Sequence, residues 1–216
     1  MIQLKLNPEP GRPLRVLCLG AHSDDIEIGC GGTILRLAVE NPGCVFHWVV
    51  FSAFGVRGPE ARHGAELFTK GATLEGPVMK EFRDGFLPFV GAEVKSVFEQ
   101  LKSISPDVVF THYRKDAHQD HRLLSELTWN TFRNHLILEY EIPKYDGDLG
   151  QPGVFVPLAL EVCQTKARYI VETFESQRAK PWFEENTFLS LMRLRGMECN
   201  APSGYAEAFY CRKLVL

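Results

Sequence analysis

The sequence predicts a single Rossmann-like α/β domain spanning residues 1–216, with a mostly parallel sheet and helices on both faces. Three observations lead there. Apolar runs of strand length recur along the chain, at LRVLCLG (14–20), CVFHWVVFS (44–52) and VVFT (108–111). Between them lie segments of helical period, such as Val94, Val97, Phe98 and Leu101. The composition is ordinary for a globular chain of 216 residues, 45% hydrophobic and 24% charged, with no internal repeat or low-complexity linker.

Residues 1–13 are polar and proline-rich and read as an entry segment. The first strand is expected at Leu14–Leu19 and the first helix from about Gly31 to Glu40, stopped by Asn41, Pro42 and Gly43. A second strand at Cys44–Ser52 leads through a glycine-bearing loop into a helix over Pro59–Lys70, where proline suits the first turn. A weakly alternating third strand is expected at Gly76–Phe82, then the turn and loop RDGFLPF, and a helix at Gly91–Ser103. Pro106 and Asp107 introduce the fourth strand, and the polar loop HYRKDAHQDH precedes a helix over Arg122–Arg133. Leu136–Ile142 reads as a fifth strand and PKYDGDLGQPG as a loop. FVPLALEVCQTKARYIVETF holds a strand edge and then a helix, TFLSLMRLRG a shorter helix, and AFYCRKLVL a last strand. If the strands follow the order 3-2-1-4-5, the first and fourth are neighbours, and ligands bind in the crevice at their carboxyl ends.

The bulk numbers exclude several classes. A net charge of −3 offers no basic surplus for nucleic acid. The six cysteines form no CxxC pair and fall mostly in apolar runs, which suits reduced thiols in a cytoplasmic protein. The N-terminus lacks the pattern of a signal peptide, and the longest apolar run, VFHWVVFSAF, is about half the roughly 20 residues of a membrane span. The expected partner is a small molecule, and the sequence leaves a homo-oligomer open.

The residues that carry chemistry cluster at the ends of the first and fourth strands. The first strand runs into AHSDD, where His22 and Asp25 are three apart and can point into one volume, with Asp24 between them. Buried acids and imidazoles need a partner, and a metal ion is one. A hydrolytic zinc site takes about three protein ligands and keeps one position open for water. His22 and Asp25 offer two, and the loop after the fourth strand offers His112, His118 or His121 for the third. Asp24 is placed as general base. A second histidine, held cationic, could stabilise an oxyanion or protonate a leaving nitrogen, with Asp120 orienting it. Read blandly, the acidic pair would be a helix cap and HxDH a solvated loop. Gly29, Gly31 and Gly32 permit close backbone packing, and their spacing is not that of a dinucleotide-binding loop. Arg57 and Arg62 are competing candidates for binding an anionic substrate group, and His47, His63 and His135 read as structural or surface residues.

AHSDDIEIGCGGTI resembles the AHPDDExxGCGGTL signature of the PIG-L/LmbE family of zinc-dependent N-deacetylases. DAHQDHR resembles that family's DxHxDHR block, and RGMECNAPSGYAEAF its RGxxxGxxYAEAF tail, so the resemblance runs from the first strand to Phe209. It implies one zinc held by His22, Asp25 and His121, Asp24 as general base, His118 assisting the oxyanion or leaving group, and Asp120 orienting it. Arg57 and Glu60 match the family's RxxE, which makes Arg57 the implied substrate contact. Ser23 replaces proline, and Ile26–Glu27 shifts the acidic position that follows the aspartate pair.

The resemblance thus implies a zinc hydrolase that removes an acetyl group from an N-acetylated sugar or its nucleotide, lipid or glycoside conjugate. The competing expectations are a metal-dependent amide or ester hydrolase on a non-sugar substrate, a metal-binding relative without deacetylase activity, a nucleotide oxidoreductase and a magnesium phosphatase. The missing GxGxxG disfavours the oxidoreductase, and the imidazoles favour zinc over magnesium.

Overall fold

A computed structural model describes residues 3–6, 8 and 11–215. The entry segment 1–13 lies partly outside those residues, and its described part forms no helix or strand. β1 (Arg15–His22) is buried from Val16 onward and lies between β2 (Val45–Ser52) and β4 (Val108–His112), parallel to both. β3 (Thr73–Met79) pairs with β2 and β5 (Leu136–Tyr140) with β4, again in parallel. The expected order 3-2-1-4-5 is therefore present. β7 (Ala206–Tyr210) then runs antiparallel to β5, and β6 (Val154–Pro157) antiparallel to β7, giving seven strands in the order β3-β2-β1-β4-β5-β7-β6.

Alternation along the strands fills two separate cores. Val16 and Cys18 of β1, with Trp48 and Phe110, face α1 (Asp25–Glu40), α2 (Arg57–Phe68) and α5 (Leu160–Thr173). Leu17 and Leu19, with Phe51 and Val109, face α3 (Gly91–Leu101) and α4 (Gln119–Thr131). The neighbouring strands β1 and β4 thus send α1 and α4 to opposite faces, and their carboxyl ends meet at the switch point of the sheet, where open α/β sheets place ligands. α6 (Glu185–Glu198) packs on α5 and β7 and is as long as α5, not the shorter helix expected there.

Several other bounds differ from the sequence reading. β3 begins three residues earlier than expected, and α4 begins at Gln119, capped by His118. The largest difference is in α1, which starts at Asp25 and contains the whole glycine cluster. Glycine is a poor helix former, so the cluster reads as a break before the helix. Tertiary packing overrides that preference. The Tyr140 ring lies so close to Gly29 that a β-carbon there would sit 2.2 Å from it, and Phe68 and Leu158 crowd Gly31 and Gly32 at 2.5 Å. Among the described residues, no helix is long and apolar enough to cross a membrane.

Tyr140 cannot retreat, because it is fully buried and its hydroxyl donates to the Leu19 carbonyl at 2.6 Å. Gly29→Ala is therefore expected to destabilise the protein by about 1–3 kcal/mol in denaturant melts. Gly91→Ala, where a β-carbon meets nothing within 4 Å, should be neutral or slightly stabilising. Equal stability of the two variants would contradict this packing.

Candidate functional site

His22 ends β1, and its chain turns at once into α1, whose first residue is Asp25. A negative charge at a helix N-terminus is favourable. Across the crevice, His112 ends β4, His118 caps α4, and Asp120 and His121 stand in the first turn of α4. All of these except the half-buried His118 are at most 7% exposed.

Three of the expected ligand atoms converge. His22 Nδ1 lies 3.2 Å from His121 Nε2 and 3.3 Å from Asp25 Oδ2, and the last two are 3.5 Å apart. Zinc ligands stand about 2.0–2.2 Å from the ion, so the edge of their tetrahedron is about 3.3–3.6 Å. The three atoms match one face of that tetrahedron. The far nitrogen of each imidazole meets a carboxylate. His22 Nε2 is 3.3 Å from Asp120 Oδ2 and 3.0 Å from Asp84 Oδ1, and His121 Nδ1 is 2.9 Å from Asp116 Oδ2. Such outer carboxylates orient metal-binding histidines and fix their tautomer.

His112 and His118 are engaged differently. His112 Nε2 accepts the Ala21 N–H at 2.9 Å, so its lone pair is taken, and its ring stacks on His121 with centroids 3.9 Å apart. Other groupings that could hold a metal pair His112 with Asp25 and His121, His118 with His22 and His121, or His22 and His118 with Asp84 and Asp120. The Ala21 bond weighs against the first. In His118, Nδ1 accepts the Asp120 N–H at 3.2 Å, which leaves its proton on Nε2. Burial and the neighbouring His22 lower the His118 pKa, so the cationic state expected from sequence is disfavoured.

The electrostatics follow from burial and crowding. Burial pushes the Asp25 pKa up, but His121, His112 and His22 outweigh it and pull the carboxyl well below its usual range. Burial lowers the His22 pKa, yet Asp25, Asp120 and Asp84 raise it well above the ordinary value. His121 is lowered to about 4 by burial and by His112. Asp24 is raised by burial and by Asp25, against the pull of Arg57. Asp24 stands at the N-cap of α1 without making a side-chain cap bond, so its carboxylate is not consumed as a helix cap.

Two expectations change in detail. The Asp120 carboxylate is not bonded to His118. It takes the N–H groups of Gly85 (2.7 Å) and Leu87 (3.1 Å) and faces His22 instead. It faces the other histidine because α4 begins at Gln119, which turns its carboxylate toward β1. Arg57 reaches the site and Arg62 is exposed. Arg57 Nη2 donates to Asp24 Oδ1 at 3.1 Å and Nη1 to Asp84 Oδ2 at 3.3 Å. Glu60 instead accepts from Ser176, and the fully buried Glu27 lies against Gly64, its pKa well above the ordinary value through burial.

Sequence reasoning missed Asp84, Asp116 and Lys144. Lys144 donates to Asp116 Oδ2 at 3.0 Å and to Asp148 at 2.6 Å, tying the loop after β5 to the His121 carboxylate. Asp116 opens the DAHQDH block and was visible there. Asp84 sits in an Asp-Gly turn and Lys144 in a polar loop, and each was absorbed by its turn chemistry.

The chain is thus an open α/β protein with a histidine–aspartate cluster at its switch point. Residues 17–132 match the family described as PIG-L: GlcNAc-PI de-N-acetylase, and the chain belongs to that family. Solved structures share the fold at low identity. A conserved protein from Thermus thermophilus is 22% identical, with a TM-score of 0.76, covering 94% of this chain and 96% of its own. An N,N'-diacetylchitobiose deacetylase from Pyrococcus horikoshii is 20% identical, with a TM-score of 0.70, over 91% and 83%. A 4-carboxy-2-hydroxymuconate hydratase from Pseudomonas putida is 18% identical, with a TM-score of 0.73, over 94% and 98%. The fold therefore carries more than one reaction, and function rests on the site.

Proposed function

We propose that this protein is a zinc-dependent N-deacetylase that hydrolyses the acetamide of an N-acetylated amino sugar or its conjugate. The observation that carries the reading is the pairing of the two inner imidazoles. His22 and His121 each turn one nitrogen to Asp25 and the other to a carboxylate, in the pattern of metal ligands held by outer carboxylates. The donor set of two imidazoles and one carboxylate suits zinc. Bound there, the ion would supply Lewis acidity and lower the pKa of a water at its open position.

The chain's own groups supply the rest. Asp24, untied from capping, takes a proton from the attacking water, and Arg57 beside it keeps a carboxylate available despite burial. His118 presents Nε2–H, a neutral donor suited to the carbonyl oxygen as it gains negative charge. The water oxygen joins the acetyl carbon, the C–N bond breaks, and the abstracted proton ends on the departing amine. Asp120 and Asp116 are positioning residues for His22 and His121.

Support for a sugar comes from the mouth of the site. Arg57 is a donor and the exposed Asp84 an acceptor, 3.3 Å apart. Neighbouring hydroxyls both donate and accept, so a sugar satisfies such a pair. Five buried unpaired cysteines fit a reducing cytoplasm.

Zinc-loaded protein should release acetate from at least one acetamido sugar or conjugate in a substrate screen. Asp24→Asn is expected to keep its zinc and its melting profile but lose about 10²–10⁴-fold in kcat. Wild-type turnover in that variant would remove Asp24 from the reaction. His121→Ala should come through gel filtration and elemental analysis with little zinc; full zinc content would hand the ligand role to another histidine. Asp116→Asn keeps all three proposed ligands, and its zinc affinity should fall about 10–100-fold in a chelator competition. Wild-type affinity there would mean that the outer carboxylate does not orient His121.

A further inference from the structure

We infer that the substrate carries an apolar group beside its acetamido sugar, such as an alkyl or aryl aglycone, and that a rim of exposed hydrophobic side chains around the site receives it. The inference rests on the N-deacetylase reading and narrows its substrate. Two loops at the carboxyl end of the sheet carry the rim. The loop after β2 exposes Phe54 (71%) and Val56 (70%), and the loop after β3 exposes Phe89 (79%) and Phe86 (39%). Large apolar side chains exposed singly are common, but here four stand on two adjacent loops.

The loops are joined at the site itself. Arg57, next to Val56, donates to Asp84, two residues before Phe86, and the strands behind them are tied by the Ala53 N–H to the Lys80 carbonyl at 2.8 Å. Neither loop is loose. Gly55 takes a left-handed turn at φ 61°, the region that favours glycine, and the Arg57 N–H closes that turn onto the Phe54 carbonyl. Leu87 is buried between the two exposed phenylalanines, and its N–H is held by the Asp120 carboxylate, which also faces His22. The chain therefore presents these aromatics on the same hydrogen-bonded frame that orients the proposed metal ligands. Keeping them in water has no role in packing, whereas covering them with a ligand removes apolar area from solvent.

A membrane surface is the other occupant that such a patch could serve. Surface-binding apolar faces are bordered by free lysine and arginine. Here the two loops carry no cationic surplus: Arg57 is paired with Asp24 and Asp84, and the charges of Lys80 and the exposed Arg83, which lies over the Phe86 ring at 3.7 Å, are balanced by the exposed Glu81 and Asp84. The surroundings favour one uncharged group on a single substrate molecule.

The test compares methyl and hexyl glycosides of 2-acetamido-2-deoxyglucose, each below its micelle concentration, as substrates of the zinc-loaded protein. A buried methylene is worth about fourfold in binding, so a hexyl chain covered in part should raise kcat/KM at least about tenfold over methyl. In Phe54→Ser/Phe89→Ser the hexyl-to-methyl ratio should fall toward one. Equal turnover of the two glycosides by the wild type, or a ratio that survives both substitutions, would overturn the inference. Binding of hexyl glucoside, which has no acetamide, is measured in parallel by calorimetry. Saturable binding that the double variant loses supports the rim even if no acetamido sugar is cleaved, a result that would sink only the deacetylase reading. Absence of binding by the wild type overturns the rim. Co-sedimentation with neutral phosphatidylcholine vesicles, without binding of monomeric hexyl glucoside, overturns it in favour of a membrane surface.

Discussion

The site is built around one oxygen atom. Asp25 Oδ2 accepts the His22 backbone N–H at 2.6 Å and faces ring nitrogens of His22, His112 and His121 at 3.2–3.5 Å. Those imidazoles come from the end of β1, the end of β4 and the first turn of α4. A carboxylate buried to this depth is costly unless cationic or donor groups surround it. Here the His22 N–H donates to it and the His22 ring, pushed toward its cationic form, lies beside it, while the His112 and His121 rings close over it from across the sheet, so the carboxylate stands where two distant parts of the chain meet.

The surrounding groups hold that junction in place by hydrogen bonds to backbone as well as to side chains. The pairing of β1 with β4 ends at Cys18 and Phe110, and the His112 ring then takes the Ala21 N–H that the ladder has released. Tyr140 connects this region to the helix. Its ring fills the space over Gly29, its hydroxyl holds the Leu19 carbonyl, and it lies 3.3 Å from His112 Nε2. The glycine face of α1 and the histidine cluster are therefore parts of one packed unit. A bulkier face on α1 would push the helix, and with it Asp25, away from the sheet. On the far side, Lys144 and Asp148 clamp the loop that carries Asp116. A polar network in low dielectric rigidifies only when its members are satisfied, and most members here are.

Much of this is legible from residue order alone. The apolar runs of β1, β2 and β4 mark strands buried on both faces, and the common order 3-2-1-4-5 assumed for such strands is the one present in the parallel part of the sheet. The three-residue spacing of His22 and Asp25 brings both to one turn. The start of α1 is not legible locally, because helix propensity is a local quantity, whereas Tyr140, Phe68 and Leu158 reward glycine there from across the chain. The partner of Asp120 is hidden for a similar reason. Adjacency in HQDH suggests His118, but the first turn of α4 aims the carboxylate at His22, nearly a hundred residues earlier.

By itself, then, the sequence determined which residue types were available and in what local spacing: the fold class and the two clusters of imidazole and carboxylate. Those follow from periodicity and covalent connectivity, which are written residue by residue. The tertiary structure alone decided which nitrogen of each histidine is free, which arginine enters the site, and that Asp84, Asp116 and Lys144 belong to it. Such choices depend on directions in space, where a shift of one helical turn exchanges one partner for another, and no short stretch of chain contains that information.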